Sequence, residues 1–215
     1  MKTRLAPLLG ERRAAELASA FIRDTLAAVG AVARRLRADP HLFYDPPSAA
    51  TEMQGLAGRE VELHAQAGGN LSRRLDAARR SLSAAGYAHL CFLGADSPTL
   101  PQAYVERACA QLDAGTDVVI GPASDGGYYL IALRAAQSGL FERIEWSTCR
   151  VLAQTVARSD QLGLRRALLP EWYDVDDAAS LRRLRDEMAA AQHGIDGAMA
   201  AHTRAVLERL TDVAW

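Results

Sequence analysis

The sequence predicts an α/β fold, and three observations carry that prediction. Short apolar runs rich in β-branched residues alternate with longer stretches whose apolar positions recur at helical spacing. Two of the runs end abruptly before a carboxylate: Tyr87 to Leu93 leads to Asp96, and Asp117 to Ile120 leads through Gly121-Pro122 to Asp125. No repeat or low-complexity linker interrupts the pattern, and its alternation argues for a parallel sheet.

Taken in order, Glu11 to about Ala38 is a long amphipathic helix, with Ala14, Leu17, Ala18, Phe21, Ile22, Thr25 and Leu26 at helical spacing. Arg34, Arg35 and Arg37 put positive charge where the helix dipole favours it, and Asp39-Pro40 breaks the helix. His41 to Tyr44 reads as a short strand stopped by Asp45-Pro46-Pro47, Ser48 to Gly58 as a short helix and loop, and Val61 to Gln66 as a strand. A turn over Ala67 to Asn70 precedes a helix from Leu71 to Ala85, with arginines on its outer face. Tyr87 to Leu93 is a buried strand, Gln102 to Ala114 a helix, and Asp117 opens the next strand. Ser147 or Thr148 caps a helix running to about Ser159, Gly163 to Leu169 is a short strand, and Ala178 to Gln192 is helical. Residues 1–192 form the main domain; after a break at Gly194, a last helix from Met199 to Thr211 lies in a C-terminal segment, 193–215, that packs on it.

The chain has 215 residues, 49% of them hydrophobic, and a formal net charge of −1, which suits one soluble domain and gives no bulk charge for nucleic acid. Lys2 is the only lysine. Cys91, Cys109 and Cys149 are widely spaced, so neither a disulfide framework nor a cysteine zinc site is indicated, and a reducing cytoplasm is the expected home. No apolar run approaches the roughly 18 residues of a membrane span. The five histidines form no spaced pair, which argues against a zinc site.

Chemistry concentrates in the carboxylates. Asp96 stands at the carboxyl end of a strand, where open α/β sheets bind ligands, although it, Ser97 or Thr99 could instead cap the next helix. Asp125 precedes Gly126 and Gly127, paired glycines that let backbone N–H groups approach a bulky polar ligand; the alternative is a plain Asp-Gly hairpin turn. Asp174, Asp176 and Asp177 stand directly before a helix, and either of the last two suits its N-cap. Hard divalent cations such as Mg2+ or Mn2+ take oxygen ligands, commonly one or two carboxylates together with substrate phosphates. No Walker or Gly-x-Ser-x-Gly sequence is present.

Several stretches occur together in one bacterial family: Lys2-Thr-Arg-Leu-Ala-Pro, Gly94-Ala-Asp-Ser-Pro-Thr-Leu-Pro101, Gly121-Pro-Ala-Ser-Asp-Gly-Gly-Tyr-Tyr-Leu-Ile131, Trp146-Ser-Thr and Asp174-Val-Asp. On these the chain resembles the DUF2064 group of glycosyltransferase-A-like proteins, to about Leu184. That group, also known as radical-SAM and selenodomain-associated or arsenosugar-type transferases, is akin to nucleotidyltransferases. The resemblance implies a Rossmann-like GT-A three-layer sandwich that binds a nucleotide sugar or a nucleoside triphosphate through Mg2+ or Mn2+ and acts on a small-molecule acceptor. It implies metal binding by Asp96 with Asp174 or Asp176, and an acceptor-loop role for Asp125. Gln66, Gly69 and Arg74 match substrate contacts in a stretch where Asn70 replaces the usual acid and Ser72 the usual glycine. Three activities are compatible with it: glycosyl transfer, nucleotidyl transfer with release of pyrophosphate, and a non-catalytic role.

Relatives place an apolar strand and an Ala-Lys-x-Pro-x-x-Gly loop before the Lys-Thr-Arg-Leu that here begins at Lys2, so the first strand of the sheet is missing. Lys2, Thr3 and Arg4 then read as the continuation of a phosphate-binding loop, with arginine able to hold phosphate bidentately. A GTG valine codon misread as a start would leave Met1 where relatives have valine. The expectation is that the DNA just upstream encodes the strand and loop in frame; a stop codon there would refute it.

Overall fold

The longest element is helix α2, Glu11–Leu36, which follows the short helix α1, Ala6–Leu9. The computed structural model describes residues 4–191 and 200–210. Leu17 and Phe21 project from α2 into a cluster with Tyr173, Val175, Leu181, Leu184 and Val206, while Val32, near its other end, joins a different cluster. Burying each such leucine or phenylalanine contributes about 1.5–3 kcal/mol. The helix stops at Arg37, whose left-handed backbone (φ 55°) returns its N–H to the Ala33 carbonyl.

Strands β3 (His89–Leu93), β4 (Val118–Pro122), β5 (Tyr128–Arg134) and β6 (Arg166–Leu168) form a sheet in the order β3-β5-β4-β6. Period-two alternation sorts its side chains onto two faces. Cys91, Leu93, Val119, Leu130 and Ala132 pack beneath α2 and α5 (Gln102–Asp113). Leu90, Phe92, Val118, Ile120, Ile131 and Leu133 pack against α4 (Leu71–Ala84) and α6 (Val151–Gln161). The result is the expected three-layer α/β sandwich.

The sheet is mixed rather than parallel. β5 runs antiparallel to both β3 and β4, and β4 is parallel to β6. Only five residues, 123–127, separate β4 from β5, too few for the dozen or more that a parallel crossover needs. The Asp-Gly hairpin signal was therefore the correct reading of that loop. β1 (His41–Tyr44) and β2 (Glu62–Ala65) pair in parallel as a separate two-stranded sheet, with α3 (Ala50–Ala57) between them in sequence. Among the described residues no strand joins β1 to the larger sheet.

After β6 come α7 (Ala178–Ala191) and α8 (Ala201–Leu207), the latter lying against α2. The ends of the expected last helix, at Met199 and Thr211, fall outside the described residues. Asp24, buried on α2, fastens α8: its two carboxylate oxygens accept the N–H groups of His202 at 3.0 Å and Thr203 at 2.7 Å. Hydrogen bonds to a charged group are worth about 1.5–3 kcal/mol each. Asp24→Ala is therefore expected to lower stability by about 3 kcal/mol, or roughly 6–12 °C in Tm. Thermal unfolding followed by circular dichroism checks this.

Candidate active site

Because β3 and β4 both oppose β5, and β6 parallels β4, the carboxyl ends of β3, β4 and β6 point to one edge of the sheet. Asp96 follows β3, Asp125 follows β4, and Asp174 and Asp176 follow β6. Backbone bonds lash these segments together. Val175 N–H donates to the Asp96 carbonyl at 2.8 Å, Trp172 N–H to the Pro122 carbonyl at 3.0 Å, and Ser124 N–H to the Trp172 carbonyl at 3.0 Å. Helix α5 begins after Pro101 with no side-chain cap, so neither Asp96, Ser97 nor Thr99 serves as one.

Asp174 is the inner member of the group. Ser97, itself buried, donates its hydroxyl proton to Asp174 Oδ1 at 2.5 Å. Burial pushes the Asp174 pKa above the ordinary carboxylate value; the Asp96, Asp125 and Asp176 carboxylates push it the same way, and the Ser97 bond opposes them. Four carboxylates thus share one field at this edge, with Asp96 and Asp125 exposed to solvent. Their all-oxygen donor chemistry fits a hard divalent cation, which would offset the mutual repulsion. No three of them bring ligand atoms within 4.8 Å of one another among the described residues. A cation here would therefore take one or two of these carboxylates and complete its shell from the substrate or water.

The raised pKa has a thermodynamic consequence. A carboxyl whose folded pKa exceeds its unfolded value contributes stability that is fully present below about pH 4 and lost as pH rises through the folded pKa. Ionising Asp174 therefore costs stability, and Asp174→Asn, which cannot ionise, is expected to raise the Tm of the metal-free protein at pH 7. The gain should vanish near pH 3; calorimetry at the two pH values tests it.

Asp125 sits in the β4–β5 hairpin. Its Oδ1 accepts the Gly127 N–H at 2.8 Å, and the loop closes through Ala123 N–H to the Gly127 carbonyl and Gly126 N–H to the Ala123 carbonyl. The sequence suggested that both glycines leave room for a ligand; at Gly126 that room is taken by the chain itself. Gly126 has φ 88°, and a Cβ there would meet the Cys149 carbonyl oxygen at 2.2 Å; the space is already filled by the chain before α6. Gly126→Ala is expected to cost about 3 kcal/mol or more, from left-handed strain plus a backbone clash. Denaturant unfolding measures that loss.

The stretch at the carboxyl ends of β1 and β2 also comes together. Arg74 donates to the Gln66 side chain at 2.8 Å and the Gly69 carbonyl at 3.0 Å, and pairs with Asp45 at 3.1 Å. Gln66 in turn donates to the Phe43 carbonyl at 3.0 Å. Asn70 is the N-cap of α4, accepting the Arg73 N–H, a task it performs as well as an acid would. Ser72 links α4 to the following chain, donating to the Phe141 carbonyl and accepting the Trp146 indole N–H. Lys2 and Thr3 lie outside the described residues. Arg4 is exposed and helps hold the Asp177 pKa down, behind the larger effect of the Ser180 hydrogen bonds. Asp177 is the α7 cap, taking the Ser180 N–H at 2.8 Å, which leaves Asp174 and Asp176 to the edge.

Two features escaped the sequence reading. Ser97, considered only as a helix cap, orients Asp174 across 77 positions of chain. The sequence offered no spaced histidine pair, yet parallel pairing sets His41 opposite Glu62 and Phe43 opposite His64, bringing both imidazoles and the carboxylate onto one face. A histidine in each of two adjacent short strands was the available signal.

With this geometry in hand, comparison with known proteins is informative. A solved structure from Desulfovibrio desulfuricans G20, described as a candidate nucleotide-diphospho-sugar transferase, superposes with a TM-score of 0.85 at 30% identity, covering 97% of this chain and 88% of that one. No match was found among curated proteins. The model of the DUF2064 family, described as uncharacterized proteins conserved in bacteria, matches residues 25–148, a span that holds both Asp96 and Asp125. The chain therefore belongs to the DUF2064 family.

Proposed function

We propose that this protein is a metal-dependent transferase that moves a sugar from a nucleotide-sugar donor to a small-molecule acceptor. The observation that carries the proposal is the convergence of Asp96, Asp125 and Asp174 at the carboxyl ends of three like-directed strands. The similarity to the Desulfovibrio protein supports the same reading. Asp96 and Asp174, with Asp176 beside them, are the residues that would hold Mg2+ or Mn2+. When bound, such an ion supplies positive charge against a diphosphate leaving group.

The chain's own residues do the rest. Ser97 fixes the Asp174 carboxylate by hydrogen bond and keeps one oxygen turned inward. Asp125, exposed on a loop closed by its own Asx turn, accepts the proton of an acceptor hydroxyl as that oxygen attacks the sugar. Arg4 adds a cation for phosphate, with Lys2 and Thr3 preceding it in sequence. The Gln66–Gly69–Arg74 network holds the neighbouring loop in shape for the donor. We also infer a cytoplasmic location from Cys91, Cys109 and Cys149, which are all free thiols. No helix among the described residues is long and apolar enough to cross a membrane.

Product analysis tests the proposal. Incubation with nucleotide sugars and Mn2+ should release a nucleoside diphosphate. Release of pyrophosphate from a nucleoside triphosphate would replace glycosyl by nucleotidyl transfer. No metal-dependent shift in Tm with any nucleotide or nucleotide sugar would leave the chain non-catalytic.

A further inference from the structure

His41 is the first residue of β1 and Glu62 the first of β2, so they sit at the amino ends of the two parallel strands, opposite the Gln66–Arg74 network. His41 Nδ1 lies 3.0 Å from His64 Nε2 and 3.7 Å from Glu62 Oε2, and His64 Nε2 lies 3.4 Å from Glu62 Oε1. Ligands about 2.05 Å from a tetrahedral ion stand about 3.3 Å apart. The three spacings bracket that value.

Without a metal, one N–H···N bond between the two rings accounts for the 3.0 Å contact, and the exposed Glu62 carboxylate is solvated. The three electron-pair donors nevertheless converge, an arrangement that a single cation would engage at once. The surroundings hold the donors in place: Phe43 stacks on the His64 ring at 4.7 Å between centroids, and Tyr87 meets His41 edge-on at 5.2 Å while donating its hydroxyl to Asp39. Glu62 is well exposed, so an ion can enter from solvent.

We propose that His41, Glu62 and His64 form a binding site for a borderline transition-metal ion of the Zn2+ class, with two imidazoles, one carboxylate and a remaining position for water. Two imidazole nitrogens favour Zn2+ over Mg2+ or Mn2+, which prefer the oxygen donors of the aspartate edge. The ion clasps β1 to β2, a two-stranded sheet that is marginally stable alone. This site is separate from the aspartates and does not depend on the transferase proposal.

Isothermal titration of the metal-free full chain with ZnCl2 tests it. The expected result is one tight Zn2+ per chain and a rise in Tm on binding, with affinity at least tenfold weaker in Glu62→Gln and lost in His64→Ala. Co2+ should give a visible ligand-field spectrum that the same variants lose. Asp96→Ala/Asp174→Asn should retain the zinc, assigning it to the histidines. If His64→Ala fails to fold, Glu62→Gln decides, since this exposed side chain contributes little packing. Zinc titrations that superimpose for the wild type and Glu62→Gln would overturn the proposal. So would a wild type that takes up no Zn2+ at about 100 μM.

Discussion

Asp96→Ala is expected to lower metal-dependent binding of a nucleotide or nucleotide sugar by 100-fold or more, about 2.7 kcal/mol, while leaving the metal-free protein folded with its Tm changed by less than about 2 °C. The separation of the two effects follows from how Asp96 is held. Its backbone carbonyl takes the Val175 N–H and ties β3 to the segment after β6, a bond that alanine preserves. Its side chain is exposed at the ligand edge and contributes little packing. Removing it takes one carboxylate from the group that surrounds Asp174, so the loss falls on charge available to a cation. Calorimetric titration with Mn2+ present and absent measures both quantities. Unchanged affinity would remove Asp96 from the site.

Asp125→Asn should lower kcat by about 100- to 10,000-fold, the range for loss of a general base, and leave donor KM within about threefold. Asparagine is the informative substitution here. Its Oδ1 can still accept the Gly127 N–H, so the Asx turn and the hairpin survive, and only the proton-accepting charge is lost. Alanine would confound the result by removing the turn. Steady-state kinetics with donor and acceptor varied separately provide the check; a defect confined to donor KM would transfer Asp125 from acceptor chemistry to donor binding.

Local signals in the sequence marked most elements. β1 was bounded correctly at His41 and Tyr44 because Asp39-Pro40 and Asp45-Pro46-Pro47 bracket it, and α2 was recognisable because 26 residues of helical periodicity leave little ambiguity. The short helix α1 was missed, since four residues carry too little periodicity to be seen. Sheet direction was misjudged because alternation of strands and helices is an average pattern, whereas β5 is governed by one five-residue connection.

The candidate site divides along the same line. That Asp96 and Asp125 end strands is a local fact, legible from apolar runs that stop at Gly and Pro. That they share an edge with Asp174 depends on strand order and direction, set by pairing across dozens of residues that no local propensity encodes. Asp176 and Asp177 are interchangeable as caps in the sequence; the Ser180 N–H, 2.8 Å from Asp177 Oδ1, distinguishes them. Gly126 shows the limit most plainly. The sequence shows that a side chain is absent there, but only the packed chain shows that the Cys149 carbonyl, and not a ligand, occupies the space. Composition and periodicity specify which residues can form strands, helices and turns, because those preferences act within a few residues. Which carboxylates face one another, which histidines meet, and what fills the room beside a glycine are properties of contacts between distant segments, and they exist only once the layers have packed.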